Sequence, residues 1–90
     1  MPKERKKAAA LKYEVGYEAP IVTAVGMGKI ADKIVEKASE NEVPVVYNKE
    51  LTDLLTNVDV GSSIPYELYD VVAEILSYVM KVDDTAKKRR

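Results

Sequence analysis

Residues 20–47 read Pro20-Ile21-Val22-Thr23-Ala24-Val25-Gly26-Met27-Gly28, then a periodic run from Lys29 to Glu40, then Val43-Pro44-Val45-Val46-Tyr47. The first run is apolar and rich in β-branched residues, which favours a strand, and two glycines end it. In the middle run Ile30, Ala31, Ile34, Val35 and Ala38 share one stripe. Asp32, Lys33, Glu36, Lys37 and Glu40 lie opposite, so the spacing predicts a one-faced helix over about 28–40 with Asn41 as its stop. The last run again reads as a strand, with Pro44 near its start, where a missing N–H is tolerated. Strand, helix and strand in this order predict two parallel strands joined by a right-handed crossover.

The flanking segments extend this unit. In residues 8–14, Ala-Ala-Ala-Leu-Lys-Tyr-Glu, Leu11 and Tyr13 fall on one face and Lys12 and Glu14 on the other, which predicts a strand despite the alanines. The short connection from Val15 to Ala19 suits an antiparallel hairpin. Asn48 is a good N-cap for a short helix over 49–56, whose Leu51, Leu54 and Leu55 keep i, i+3, i+4 spacing. Residues 57–61 form a connector with Gly61 as its turn. After Ser62-Ser63 and Pro65, the positions Leu68, Val72, Ile75, Leu76 and Val79 predict a helix from Tyr66 to about Val82. Glu67, Asp70 and Glu74 sit in its early turns and Lys81 at its end, as the helix dipole favours. The expected fold is therefore a small α/β (α+β) domain. It has a mixed three-stranded sheet in the order β-β-α-β-α-α, with helices packed on the sheet.

Ninety residues allow one domain with a modest core. The body is expected over 8–82, between a basic disordered leader at 1–7 and a charged flexible tail at 83–90. The sequence has no cysteine and no histidine, which removes disulfides, thiolate metal sites and the commonest general base. No apolar run reaches the roughly 18 residues needed to span a bilayer, and a cytoplasmic protein is the default. The net charge of −1 conceals segregation. Residues 1–7 carry +3 and Lys87-Lys88-Arg89-Arg90 carries +4, while 8–86 holds 6 basic and 14 acidic residues, or −8. Basic ends raise a nucleic-acid-binding module as the alternative function, but no aromatic residue lies within either cluster to stack on a base.

Catalytic and cofactor signals are weak. Gly26-Met27-Gly28-Lys29 stands where a strand enters a helix, a place that can bind phosphate. It lacks the P-loop spacing, has Ala31 where a dinucleotide motif has its third glycine, and has no acidic residue at the end of the following strand. Glu40/Glu42 and Asp83-Asp84 lack calcium-loop spacing, and Ser62-Ser63 has no basic partner. The six tyrosines, at 13, 17, 47, 66, 69 and 78, form no aromatic platform. The inventory argues against an enzyme and against a cofactor or metal, and the question becomes which surface binds a partner.

Several blocks taken in order resemble a known family. They are Ala10-Leu11-Lys12-Tyr13-Glu14, Ala19-Pro20, Ile21 to Gly26, Val43-Pro44-Val45-Val46-Tyr47-Asn48, Leu51 to Leu55, and Gly61-x-x-Ile64-Pro65-x-Glu67-Leu68-Tyr69-x-x-Val72-Ala73-Glu74-Ile75-Leu76-x-Tyr78-Val79. Together they resemble the cytoplasmic C-terminal domain of the FlhB/YscU family, the substrate-specificity switch of flagellar and injectisome type III export. The resemblance implies a non-enzymatic protein-interaction module at the flagellar export apparatus. The implied partners are the export-gate protein FlhA, the membrane half of FlhB, the hook-length control protein, and rod- and hook-type export substrates. Any membrane association would be indirect, at the inner face of the membrane near the export gate. It also implies an apolar docking patch at Ala19, Pro20, Ala73 and Leu76. From the residues alone, the same four also read as plain core.

Departures from the family pattern are informative. Lys3-Glu4-Arg5-Lys6 stands where the family carries the self-cleaving Asn-Pro-Thr-His, so no autocleavage is expected. Thr52-Asp53 stands where Ala-Arg is common, and the connection from Tyr13 to Ala19 is one residue short. The chain resembles a freestanding FlhB-like member, corresponding to the half that lies after the cleavage point.

Overall fold

The computed structural model describes the backbone of residues 6–88 and the side chains of residues 6–79. Lys3, Glu4 and Arg5 of the expected leader lie outside them. Strand β1 (Lys7–Lys12) pairs antiparallel with β2 (Ile21–Met27). Helix α1 (Lys29–Glu40) and helix α2 (Lys49–Leu55) follow. A 3-10 turn (Tyr66–Leu68) leads into α3 (Tyr69–Lys88), which continues past the expected end near Val82.

The faces of the sheet explain both its alanines and its bulge. Cross-strand partners point to the same side, so Ala8 with Gly26 and Ala10 with Ala24 form one face. All four residues are small, and α1 packs there with Ala31 buried. The alanines that weaken strand propensity thus form a shallow floor on which a helix can sit close. At Gly26 a Cβ would overlap the Ile30 side chain and press on Ile34. The opposite face carries Ala9 with Val25 and Leu11 with Val22. Val22 and Val25 share that face only because the register shifts between Ala10 and Leu11. The shift leaves Thr23 as an extra, exposed residue, its hydroxyl donating to the Ala10 carbonyl at 3.3 Å.

The main core lies on this second face. Ala19, Val22, Leu51, Leu55, Ile64, Leu68 and Val72 are buried together, and Leu11, Ile75 and Leu76 pack against them. The domain is therefore three layers: α1, a two-stranded sheet, and α2 with the 3-10 turn and α3. As expected, Asn48 caps α2, its side chain accepting from the Leu51 N–H at 3.0 Å.

The expected third strand at 43–47 is not formed. The observed sheet is two-stranded and antiparallel rather than mixed and three-stranded, and the element order differs accordingly. Two local causes act. Helix α1 ends in a left-handed turn at Glu42 (φ 59°). The Glu42 N–H bonds the Ser39 carbonyl at 3.2 Å and the Val43 N–H bonds the Ala38 carbonyl at 2.8 Å. This is a Schellman closure, and it fixes the exit direction of the chain. Pro44 then removes a ladder donor.

The pairing comes instead from residues 61–64. The Val22 N–H bonds the Ser62 carbonyl at 2.9 Å, the Gly61 N–H bonds the Val22 carbonyl at 2.7 Å, and the Ile64 N–H bonds the Pro20 carbonyl at 3.0 Å. Gly61, at φ 95°, makes the turn that brings this segment to the edge of β2.

Candidate docking surface

The glycines at the end of β2 and at the start of α1 both have structural roles. Gly26 gives clearance beneath Ile30, and Gly28 adopts φ 61°, ψ −127°, a conformation open mainly to glycine. The Gly28 N–H, which a phosphate would need, already bonds the Lys6 carbonyl at 2.7 Å. Lys6 and Lys7 are engaged in ion pairs. Lys6 meets Asp32 at 3.3 Å and Lys7 meets Asp53 at 3.1 Å.

Asp53 is an electrostatic tie between layers through Lys7 on β1, and Lys49, one turn earlier on its own helix, also reaches it, at 3.2 Å. Hydrogen bonds from Lys7 and then Lys49 hold its carboxyl below the ordinary aspartate range. Asp53 thus joins β1 to α2 through Lys7. Lys12, on the other end of β1, is held above the usual lysine value, chiefly by its hydrogen bond to Glu14.

The four residues expected to form a docking patch occupy different depths. Ala19 and Pro20 are buried, with Ala19 in the main core. Leu76 is half-buried and packs against that same core, whereas Ala73 is exposed. The Pro20 carbonyl is bonded to Ile64, two residues before the 3-10 turn, so the start of β2 is anchored to the approach of α3. On α3, Tyr69, Ala73 and Leu76 follow at i, i+4, i+7 and form one flank beside the line of buried Leu68 and Val72 and half-buried Ile75. What reaches solvent is this α3 flank, while Ala19 and Pro20 are buried.

The other flank of α3 forms a second surface that periodicity alone does not single out. Asn48, Glu50, Leu51 and Leu54 of the α2 region meet Leu68 and Val71 around an open cavity of about 120 Å³. Leu51 and Leu68 form its buried floor, while Leu54 is 51% exposed and Val71 42%. Leu54 reads in sequence as an inward-facing leucine; only the packing of α2 against α3 places it on a rim. No helix among the described residues is long and apolar enough to cross a membrane.

With this geometry in place, comparison with known proteins is informative. Residues 5–79 match the family described as FlhB, HrpN, YscU and SpaS. YlqH of Bacillus subtilis (strain 168) is 38% identical over 86 residues, which are 94% of this chain and 92% of YlqH. The flagellar biosynthetic protein FlhB of Aquifex aeolicus (strain VF5) is 48% identical over 75 residues, 81% of this chain. The match covers only 21% of that protein, so the chain spans about a fifth of FlhB. Among solved structures, the cytoplasmic domain of FlhB from Shewanella putrefaciens superposes with a TM-score of 0.84 at 31% identity, over 92% of this chain and 69% of that one. The PscU C-terminal domain gives a TM-score of 0.77 at 26% identity, covering 87% and 99%.

Proposed function

This chain belongs to the FlhB/HrpN/YscU/SpaS family, and from that premise we propose that it is a non-enzymatic protein-interaction module of the flagellar type III export apparatus. The observation that carries the proposal is the continuous match to FlhB, in sequence over 75 residues and in fold to its cytoplasmic domain. The module assists or replaces the cytoplasmic domain of FlhB. Its partners are the membrane half of FlhB, the export-gate protein FlhA, the hook-length control protein, and rod- and hook-type substrates. It works in the cytoplasm, at the inner face of the membrane where the export gate stands. The Tyr69–Ala73–Leu76 flank is the docking surface for these proteins. Small and aromatic residues side by side suit an inserted apolar side chain.

Co-expression with the membrane half of FlhB, in a strain lacking FlhB, tests the role. Restored motility and hook-protein export are expected, and absence of both would remove its main support. Ala73→Asp tests the surface. Ala73 is exposed, so the melting temperature should stay within a few degrees while substrate binding falls about tenfold or more. Leu76→Asp is the less clean probe, because Leu76 also packs on the core. If Ala73→Asp left binding unchanged, the docking surface would lie elsewhere.

A further inference from the structure

We infer that the groove between α2 and the start of α3 is a second protein-docking site, whose occupant is a cationic amphipathic helix that inserts one aliphatic side chain. Three observations converge on this partner. The first is shape. Two helical segments flank a cavity of about 120 Å³ floored by Leu51 and Leu68. A third helix laid along them can drop one leucine-sized side chain into it.

The second is that the rim is apolar and exposed at two facing points, Leu54 on α2 and Val71 on α3. The third is charge. Each of these residues has a glutamate four positions earlier, Glu50 before Leu54 and Glu67 before Val71, and Glu74 follows Val71 at i+3. All three glutamates are exposed. From Glu50 to Met80 the sequence has six acidic residues and no basic one. Asp53 is engaged by Lys7 and Lys49, and the other five remain exposed. An aliphatic pair with glutamates beside it matches a helix whose apolar stripe is bordered by lysine or arginine. The Tyr69–Ala73–Leu76 flank lies on the opposite side of the Leu68–Val72–Ile75 line, so the two surfaces are separable by mutation.

The test uses two synthetic peptides of one composition, titrated into the full chain with amide chemical shifts as the readout. One has leucines at i, i+3, i+4 and i+7 with lysines elsewhere; the other has the same leucines scattered. Shifts centred on Leu54, Leu68 and Val71 are expected, with the striped peptide binding about tenfold tighter. Leu54→Gln and Glu67→Lys should each weaken it severalfold without changing the melting temperature, and affinity should fall as salt is raised. Equal affinity for the two peptides would reduce the effect to bulk charge attraction and overturn the proposal. So would insensitivity to Leu54→Gln, or loss of binding through Ala73→Asp with the groove variants silent.

Discussion

Ile21–Val25 and Val43–Tyr47 are both short, apolar and rich in β-branched residues, yet only the first is a strand. Val22 is fully buried, whereas Val46 is 45% exposed and Tyr47 87%. The first run has β1 on one edge and Gly61–Ile64 against the other. The second leaves α1 through a Schellman turn and has a proline as its second residue, so its direction is set before any edge is met. β-Propensity describes how well a side chain suits a pleated, half-buried surface; it does not supply the neighbouring strand. Ser62 and Ser63 make the converse point. They have little apolar character, and they pair because Gly61 delivers them to an open edge.

The largest test of this contrast is Gly26→Val. The added side chain must displace Ile30 and Ile34, lifting α1 from its small-residue floor, and a loss of about 3 kcal/mol in urea unfolding is expected. Next is the matched pair Val22→Ala and Val46→Ala. The first removes fully buried methyl groups and should cost about 2 kcal/mol. The second should stay within about 0.5 kcal/mol, and equal costs would place 43–47 in the core. Glu42→Gly sharpens the account of the exit turn. Relief of a left-handed non-glycine residue should stabilise the fold by about 1 kcal/mol, read as a higher melting temperature.

The smallest effect concerns acid. The carboxyl of Asp53 titrates below its unfolded value because Lys7 and Lys49 hold the charged form. Its contribution is therefore complete above about pH 4 and fades as pH falls through the depressed value. Asp53→Asn should lower stability slightly at neutral pH and flatten the decline below pH 4, with pH-dependent melting as the measurement.

Much of the domain is legible from residue order. The Asn48 cap, the Leu68–Val72–Ile75 line and most of the α1 stripe rest on local periodicity or local hydrogen bonding and are found where their spacing puts them, although Ile30 of that stripe is 59% exposed. The expected third strand is absent because Val43–Tyr47 has the composition of a strand and lacks a partner, a condition no local pattern records. β1 was legible despite its alanines, although their purpose as a floor for α1 appears only with the register. The family resemblance stands on matched blocks. Of the expected docking patch, Ala19 and Pro20 are buried, Ala19 within the main core, and Pro20 accepts a backbone bond from Ile64. The acidic groove was beyond sequence reading because Leu54 and Val71 are neighbours only through packing.

The pairing of residues 20–22 with 61–64 also bears on how the chain folds. The hairpin of β1 and β2 closes locally, over the eight residues 13–20. The second edge of β2 is engaged only by closing a loop of about forty residues that contains both α1 and α2. In the chain-entropy estimate such a closure opposes folding by roughly 3 kcal/mol before its contacts form. Folding should therefore run from an early hairpin with α1 to a late, rate-limiting arrival of the Gly61–Ile64 segment. Substitutions at Ser62 or Ile64 should then act mainly on the unfolding rate, and those in the hairpin on the folding rate.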